Sequence, residues 1–233
     1  MTIEVRPFAG LGKAGFGWLE ATHHFSFGHY HDPARMGVGP LRVWNDDWIA
    51  PRTGFDPHPH RDMEIITFVR EGAITHQDSL GNEGRTAAGD VQVMSAGSGI
   101  RHAEYNREDG ATTLFQIWLL PRTRGLPPRW GQKAFPRGER AGRLVPLASG
   151  MAGHEEALPI DQDAAILGAS VTAGQRLRHE LAPGRQAYLV ATGGRVRVNG
   201  VEAAPRDGVV VTGETAIEIE ALDGTEIVLA DLP

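Results

Sequence analysis

The sequence predicts an all-β fold made of two tandem antiparallel β-barrel domains. Three observations support this prediction. The 233 residues include 30 glycines and 15 prolines, a composition that favours short elements joined by tight turns. Short runs of β-branched and aromatic residues recur between turn signals in both halves, and no helical period of useful length appears. With 41% hydrophobic residues, the chain can form one or two domains with proper cores.

The first half contains most of the strand signals. The first forty residues are ragged, and we expect short strands among their aromatic and histidine residues. Turns are predicted at 46–47, 71–72 and 81–84 from their aspartate, asparagine and glycine residues. Seven strands are predicted before, between and after these turns: 41–45, the segment around His58 and His60, 63–69, 73–78, 91–94, the segment around His102 and Glu104, and 114–120.

A change of composition divides the chain. Residues 121–143 are rich in proline, glycine, arginine and lysine, which predicts a linker or a long connection. We therefore place one domain at 1–135 and a second at 144–233. In the second, strands are predicted within 188–191, 194–200, 208–211 and 216–219, and Asn199-Gly200 is typical of a type I′ hairpin turn.

Composition also excludes several kinds of function. The net charge is -6 at pH 7, lysine occurs only at positions 13 and 133, and the arginines are scattered, so we expect no direct nucleic-acid binding. The absence of cysteine excludes disulfides, thiolate metal sites and a cysteine nucleophile. No secretion signal and no apolar stretch of membrane-spanning length is found, so we expect a cytoplasmic protein with no membrane association.

Two short strings, PHPH at 57–60 and GIRHAEYN at 99–106, contain the candidate functional residues. Residues i and i+2 of a β-strand face the same side, so His58 and His60 project together, and so do His102 and Glu104. Two such pairs on neighbouring strands would direct three imidazoles and one carboxylate toward one point. That set of ligands suits a divalent transition metal. Iron is our first choice, with zinc, nickel, cobalt, manganese and copper as alternatives.

Other polar residues leave alternatives open. Glu64 has the same strand parity as His58 and His60, so parity alone does not decide between Glu64 and Glu104 as the ligand carboxylate. His76 lies on a predicted strand between the two strings; we treat it as structural, with a role beside the metal as the alternative. The remaining histidines are taken as surface or structural residues: His23, His24, His29, His31, His154 and His179. Because residues 144–233 contain no HxH or HxE pair, we expect no metal there.

The spacing of these residues resembles the signature of cupins. Its first block is matched by Gly54, His58, His60, Glu64 and Gly72, and its second by Gly89-Asp90, Gly97, His102 and Asn106. Within cupins, the run from HPHRDMEIITF to GIRHAEYN is similar to the pirin family, and more closely to the bacterial pirin-like quercetin 2,3-dioxygenases. The strings WLEATHHFSFGHYHDPARMG, LRVWNDD and FQIWLLP fit as well. The resemblance is strong over residues 15–130 and weak over the rest.

This resemblance implies a bicupin fold with one metal in the N-terminal barrel, bound by His58, His60, His102 and Glu104 rather than Glu64. It implies oxidative cleavage by O2 of a flavonol-like aromatic substrate such as quercetin, with release of carbon monoxide. Glu104 would then accept the proton of the metal-binding hydroxyl as a general base. The alternative is a non-enzymatic, metal-bearing regulatory protein that binds a protein partner, as described for eukaryotic pirins.

Overall fold

The structure, a computed structural model, describes residues 2–233. Its strands in the first half are β1 (Thr2–Arg6), β2 (Gly12–Gly15), β3 (Leu19–His23), β4 (Leu41–Ile49), β5 (Gly54–His60), β6 (Glu64–Glu71), β7 (Ala73–Asp78), β8 (Glu83–Ala87), β9 (Val91–Ser95), β10 (Ile100–Tyr105), β11 (Thr112–Leu119) and β12 (Arg129–Lys133). Those in the second half are β13 (Val145–Ser149), β14 (Leu158–Pro159), β15 (Ala165–Val171), β16 (Arg176–Glu180), β17 (Gln186–Ala191), β18 (Val196–Val198), β19 (Val201–Ala203), β20 (Gly208–Thr212), β21 (Ala216–Ala221) and β22 (Thr225–Leu232).

Helical structure among these residues is limited to two short 3-10 helices, Phe8–Gly10 and Arg137–Arg140. No helix in the described part of the chain is long and apolar enough to cross a membrane. The prediction of an all-β chain is confirmed. The composition explains this result, because β-branched runs separated by glycine turns bury their apolar side chains in sheets more readily than in helices.

Each half pairs a seven-stranded sheet with a four-stranded sheet. The strand orders in the first half are β12-β9-β6-β11-β4-β3-β2 and β5-β10-β7-β8. In the second half they are β1-β20-β17-β22-β15-β13-β14 and β16-β21-β18-β19. Each half is therefore a jelly-roll sandwich of two sheets rather than a closed barrel. The first strand, β1, pairs with β20, so the start of the chain joins the sheet of the second half. The limits 1–135 and 144–233 stay a prediction.

The two seven-stranded sheets pack against each other and form the largest core of the molecule. In the first half, the outward faces of β4, β6 and β11 supply Trp44, Phe68 and Phe115 to this core. In the second half, β17 supplies Tyr188, whose hydroxyl is 2.8 Å from Nδ1 of His24. The molecule is therefore layered as a four-stranded, two seven-stranded and a second four-stranded sheet. The inner face of each seven-stranded sheet is turned toward its own four-stranded sheet.

The interiors of the two sandwiches differ. That of the second half is filled by aliphatic side chains such as Leu167, Leu189, Val209, Ile217 and Leu229. In the first half, a smaller apolar group fills only part of the space: Leu19, Ala21, Ile49, Val69, Ile74 and Leu114. A cavity occupies the remainder, between β5 and β10 on one side and β3, β4 and β11 on the other. The expectation that the second half binds no metal stays a prediction.

Two segments predicted to be irregular contain strand residues. Residues 121–143 contain β12, which pairs with β9 and extends the first seven-stranded sheet. The turn predicted at Asp46-Asp47 is wrong, because β4 continues to Ile49. Asp46 can be placed in a strand since it forms ion pairs with Arg70 and Arg206 on the outward face. The predicted hairpin at Asn199-Gly200 is confirmed: both residues have positive φ, and they join β18 to β19.

Candidate metal centre

Three histidine side chains converge on the inner face of the four-stranded sheet of the first half. His58 on β5 is the direct cross-strand partner of His102 on β10, and His60 lies two residues along β5. Nε2 of His58 lies 3.0 Å from Nε2 of His102. One ligand nitrogen from each of the three rings lies within 4.8 Å of the others. Strand pairing thus brings together the three histidines that the sequence pattern selects.

The converging nitrogens are free to act as ligands. Nδ1 of His58 donates to the carbonyl oxygen of Asp56 at 2.7 Å, so this hydrogen bond does not involve the Nε2 atom that faces the other rings. Nε2 of His60 is buried and has no hydrogen-bond partner among residues 2–233. Burial lowers the pKa of His60 to about 4 and that of His102 to about 2, so both rings are neutral at physiological pH.

The spacing of these nitrogens fits a shared metal ion. Two imidazole nitrogens that each lie about 2.1 Å from one ion, at a right angle, are about 3.0 Å apart. That is the distance between the Nε2 atoms of His58 and His102. The unpartnered Nε2 of His60 supplies a third donor. Imidazoles with a nearby carboxylate and no thiolate form the kind of ligand set used by first-row transition metals.

Glu104 is the carboxylate beside this group. One of its oxygens lies within 4.8 Å of ligand nitrogens of His102 and His76, whereas no such group with His58 and His60 is formed in residues 2–233. The side chain is 3% exposed. Burial raises the pKa of Glu104 to about 7, against hydrogen bonds from Gln116, Thr67 and Gln92 that favour the charged form. Glu104 is therefore poised to hold or release a proton near neutral pH.

A row of polar side chains on the opposite sheet holds Glu104. It comprises five residues that follow one another in register across adjacent strands, and we call it the polar row: His23, Asn45, Gln116, Thr67 and Gln92. Gln92 Nε2 donates to Glu104 Oε1 at 2.6 Å, and Gln116 Nε2 donates to Oε2 at 2.8 Å. Both carboxylate oxygens are thus fixed from across the interior, which sets the direction in which their remaining lone pairs point.

His76 supports His102 from behind. Its Nδ1 lies 3.4 Å from Nδ1 of His102, and its Nε2 lies 2.9 Å from Oδ2 of Asp78. A single arrangement of protons satisfies this chain: His76 donates to Asp78 and accepts from His102 Nδ1, which leaves His102 Nε2 for a metal. The Trp130 ring stacks on His76 at 4.7 Å, over Gly84, where a Cβ would lie 2.3 Å from the ring.

The histidines and Glu104 open into a cavity of about 530 Å³. That volume lies within the range of small-molecule sites. Its wall is mostly apolar and is contributed by both sheets and by the loop after β3: Leu19, Ala21, Phe27, Phe55, Ile65 and Trp118. Polar groups other than the metal-side residues include Asn45 and Asp47 on β4. The site can therefore hold a planar, largely apolar molecule against the three imidazoles.

Glu64 faces away from this cavity. It begins β6 on the outward face that also carries Ile66 and Phe68, whereas Thr67 on the inward face reaches Glu104. Its Oε2 accepts a hydrogen bond from Ser95 Oγ at 2.6 Å. Glu64 shares even numbering with the two β5 histidines but does not face the same side. The alternation of β5 is broken at residues 61–63, which belong to neither β5 nor β6. The geometry favours Glu104 as the ligand carboxylate.

Among the other histidines, His24 is buried at the contact between the halves, His154 binds Ser149 and His179 binds Asp231. His23 and the exposed His29 border the cavity, a position that the expectation of surface or structural residues did not include. Sequence reasoning missed the polar row, Trp130 and Asp47. The polar row could have been found from a glutamine inside an otherwise apolar strand, as in 91–94 and 114–119.

Comparisons with known proteins agree with this architecture. The pirin family profile matches residues 5–119, and the profile of the quercetinase C-terminal cupin domain matches residues 147–232. A pirin-like protein of Caulobacter vibrioides is 58% identical over 229 residues, covering 98% of this chain and 99% of the relative. The quercetin 2,3-dioxygenase of Escherichia coli is 40% identical over 232 residues, covering 99% of each.

Solved structures extend the match to three dimensions. The crystal structure of the bacterial pirin YhhW from Escherichia coli in complex with nickel(II) superposes with a TM-score of 0.92 at 40% identity, and the alignment covers 100% of this chain and 99% of that one. Sequence profiles, full-length relatives and fold therefore point to one family. The chain belongs to the pirin family of cupin proteins.

Proposed function

We propose that this protein is a metal-dependent dioxygenase that cleaves a flavonol such as quercetin with O2 and releases carbon monoxide. The observation that carries this proposal is the convergence of three imidazoles and the buried Glu104 on one wall of an apolar cavity. A cavity for a small molecule beside a set of candidate metal ligands is expected of a catalytic metal centre and is unnecessary for a structural one.

The relatives support the same proposal. The Escherichia coli relative at 40% identity bears the name quercetin 2,3-dioxygenase, and the structure of a pirin from that organism contains nickel(II). We assign His58, His60, His102 and Glu104 as the residues that hold the metal. Iron remains our first choice, and nickel is the first alternative to test.

The residues of this chain perform the remaining tasks. When bound, the metal supplies Lewis acidity that lowers the pKa of the flavonol hydroxyl next to the carbonyl. Glu104 accepts the proton of that hydroxyl, and Gln92 and Gln116 keep its carboxylate aimed at the site. The electron-rich ring then reacts with one O2. Both oxygen atoms enter the ring-opened ester, and one ring carbon leaves as carbon monoxide.

The apolar wall positions the substrate and limits the access of water. Phe55, Phe27 and Trp118 present aromatic surface to the cavity, and Phe27 packs edge-on against Trp118 at 5.4 Å. A planar polyphenol can lie against such surfaces with its hydroxyl-carbonyl edge turned toward the three histidines. Excluding water from this space strengthens the electrostatic interactions that stabilise the deprotonated substrate.

The test is an aerobic assay of the metal-loaded protein. Protein reconstituted separately with iron, nickel, cobalt, manganese, copper or zinc is mixed with quercetin, and its absorbance decay and the carbon monoxide formed are measured. We expect one carbon monoxide for each quercetin consumed with at least one metal. Metal-free protein should be inactive, and His58→Ala, His60→Ala and His102→Ala should each lose most bound metal by elemental analysis.

The matched control is Glu64→Gln, which changes a buried carboxyl of the same domain that faces away from the cavity. It should retain metal and turnover. Absence of quercetin turnover and of carbon monoxide with every metal would overturn the enzymatic proposal and favour the regulatory alternative. Metal content near the wild-type level in all three alanine variants would overturn the ligand assignment.

A further inference from the structure

A second carboxyl lies on the cavity wall without a partner. Asp47, on β4, is 2% exposed, and its Oδ1 has no hydrogen-bond partner in residues 2–233. It lines the same cavity as the three histidines and Glu104. It belongs to the seven-stranded sheet, whereas the histidines belong to the four-stranded sheet that faces it. A ligand between the two sheets would therefore contact both.

The neighbours of Asp47 on its own sheet do not satisfy it. Its cross-strand partners are Ala21 and Leu114, which are apolar. The adjacent Asp46 points to the opposite face, where it forms ion pairs with Arg70 and Arg206. No ion pair therefore forms between Asp47 and an arginine or lysine in the described part of the chain.

The surroundings of Asp47 disfavour the charged form of its carboxyl group. Burial raises its pKa well above the usual range, and the carboxyl groups of Asp46 and Glu104 raise it further. A neutral carboxylic acid has one O–H donor and one carbonyl acceptor. A hydroxyl group matches this pair because it can accept the first and donate to the second. A buried polar group with no hydrogen-bond partner is unfavourable. A ligand whose hydroxyl group satisfies Asp47 should therefore bind more tightly than a ligand without that hydroxyl.

We propose that Asp47 is a specificity-determining residue that hydrogen-bonds a ring hydroxyl of the substrate on the side of the cavity opposite the three histidines. The inference rests on the proposed function, since it assumes that a flavonol is anchored to the metal by its hydroxyl-carbonyl edge. It adds a second polar anchor within an apolar wall formed by residues such as Ala14, Leu19 and Phe55. The site would thereby bind polyhydroxylated aromatic molecules more tightly than those that lack the additional ring hydroxyls.

The experiment measures binding to the metal-loaded protein without oxygen, so that turnover does not interfere. Two ligands are compared: quercetin, and the parent flavonol, whose only hydroxyl is the one beside the carbonyl. Asp47→Ala should weaken quercetin binding about tenfold, the equivalent of one good hydrogen bond. It should leave the affinity for the parent flavonol within about twofold. Asp47→Asn keeps a donor and an acceptor and should restore most of the affinity for quercetin.

Thermal unfolding of the metal-free proteins provides a second readout. Removing an unpartnered buried carboxyl should leave the melting temperature of Asp47→Ala equal to or above that of the wild type. A clear fall would show that the carboxyl stabilises the fold and would overturn the inference. Equal losses of affinity for both ligands, or no loss for quercetin, would also overturn it while leaving the proposed function intact. If the wild type binds neither flavonol, the proposed function and this inference both fail.

Discussion

Gln116 should control how tightly the protein holds its metal, although it is not itself a ligand. Its Nε2 donates to Glu104 Oε2 at 2.8 Å, and its Oε1 lies 3.3 Å from Thr67 Oγ1. The substitution Gln116→Met keeps the length and most of the packing of the side chain but removes the donor. Gln92 still donates to Glu104 Oε1, so the carboxyl keeps one of its two amide partners.

The magnitude follows from the bond that is lost. A hydrogen bond to a charged group contributes about 1.5–3 kcal/mol. Among the hydrogen bonds that lower the pKa of Glu104, the one from Gln116 has the largest effect. Its loss should therefore raise the pKa of Glu104 beyond about 7 and disfavour the charged form that binds a metal. Replacing residues that hydrogen-bond to metal ligands typically lowers affinity about 10- to 100-fold. Both considerations give the same range, since 1.4 kcal/mol corresponds to tenfold.

The assay is a competition titration against a chromophoric chelator, with nickel or iron as the metal. The matched control is Asn45→Leu, which removes another buried amide of the polar row that contacts His23 and not Glu104. Gln116→Met should bind metal about 10- to 100-fold more weakly than the wild type, and Asn45→Leu should bind within a few-fold. Equal affinities of Gln116→Met and the wild type, in protein shown to be folded, would refute the idea that the polar row orients Glu104.

Three further outcomes are expected. Glu104→Gln should retain part of the metal but lose quercetin turnover, while Glu64→Gln keeps both; the reverse behaviour, by elemental analysis and absorbance decay, would make Glu64 the ligand. His76→Phe should weaken metal binding about tenfold or more because the neighbouring ligand histidine loses its Nδ1 partner; unchanged affinity would leave His76 purely structural. The pKa of buried His24 is lowered to about 3. Because the unfolded chain binds a proton there below about pH 6.5, the unfolding free energy should fall between pH 7 and pH 5 by about 2 kcal/mol less in His24→Gln; equal falls in urea titrations would contradict this.

Local sequence determines the part of the site that could be predicted. Alternation within one strand places His58 and His60 on a common face, and the same rule places His102 with Glu104. A glycine marks the start of the strand that contains each pair, Gly54 for β5 and Gly99 for β10. The glycine turns between the two strings favour strands that fold back beside each other, and β5 does pair with β10 although four strands lie between them in the chain. Such features depend on residues two positions apart and survive small errors in the predicted ends of strands.

The rest of the site depends on register between distant strands. Gln92 and Gln116 face Glu104 only because β9, β6 and β11 pair in a particular register. A shift of one residue would turn both amides to the outward face. The position of Asp47 on the cavity wall could not be predicted from the sequence for another reason. Two adjacent aspartates usually mark a turn, and the strand continues through them only because Asp46 finds arginines from β6 and from the second half.

A comparison of the two halves indicates that the polar site lowers the stability of the first half. Both sandwiches have the same layers, and the second fills its interior with aliphatic side chains, which is the more stabilising choice. The first half places a row of amides, a hydroxyl and a histidine on its inner face and buries the carboxyls of Glu104 and Asp47 among them. Buried carboxyls with raised pKa values disfavour folding unless a ligand or metal compensates. Binding of a metal and a hydroxylated ligand would therefore stabilise the first half specifically, in proportion to the polar groups that the apoprotein leaves unsatisfied.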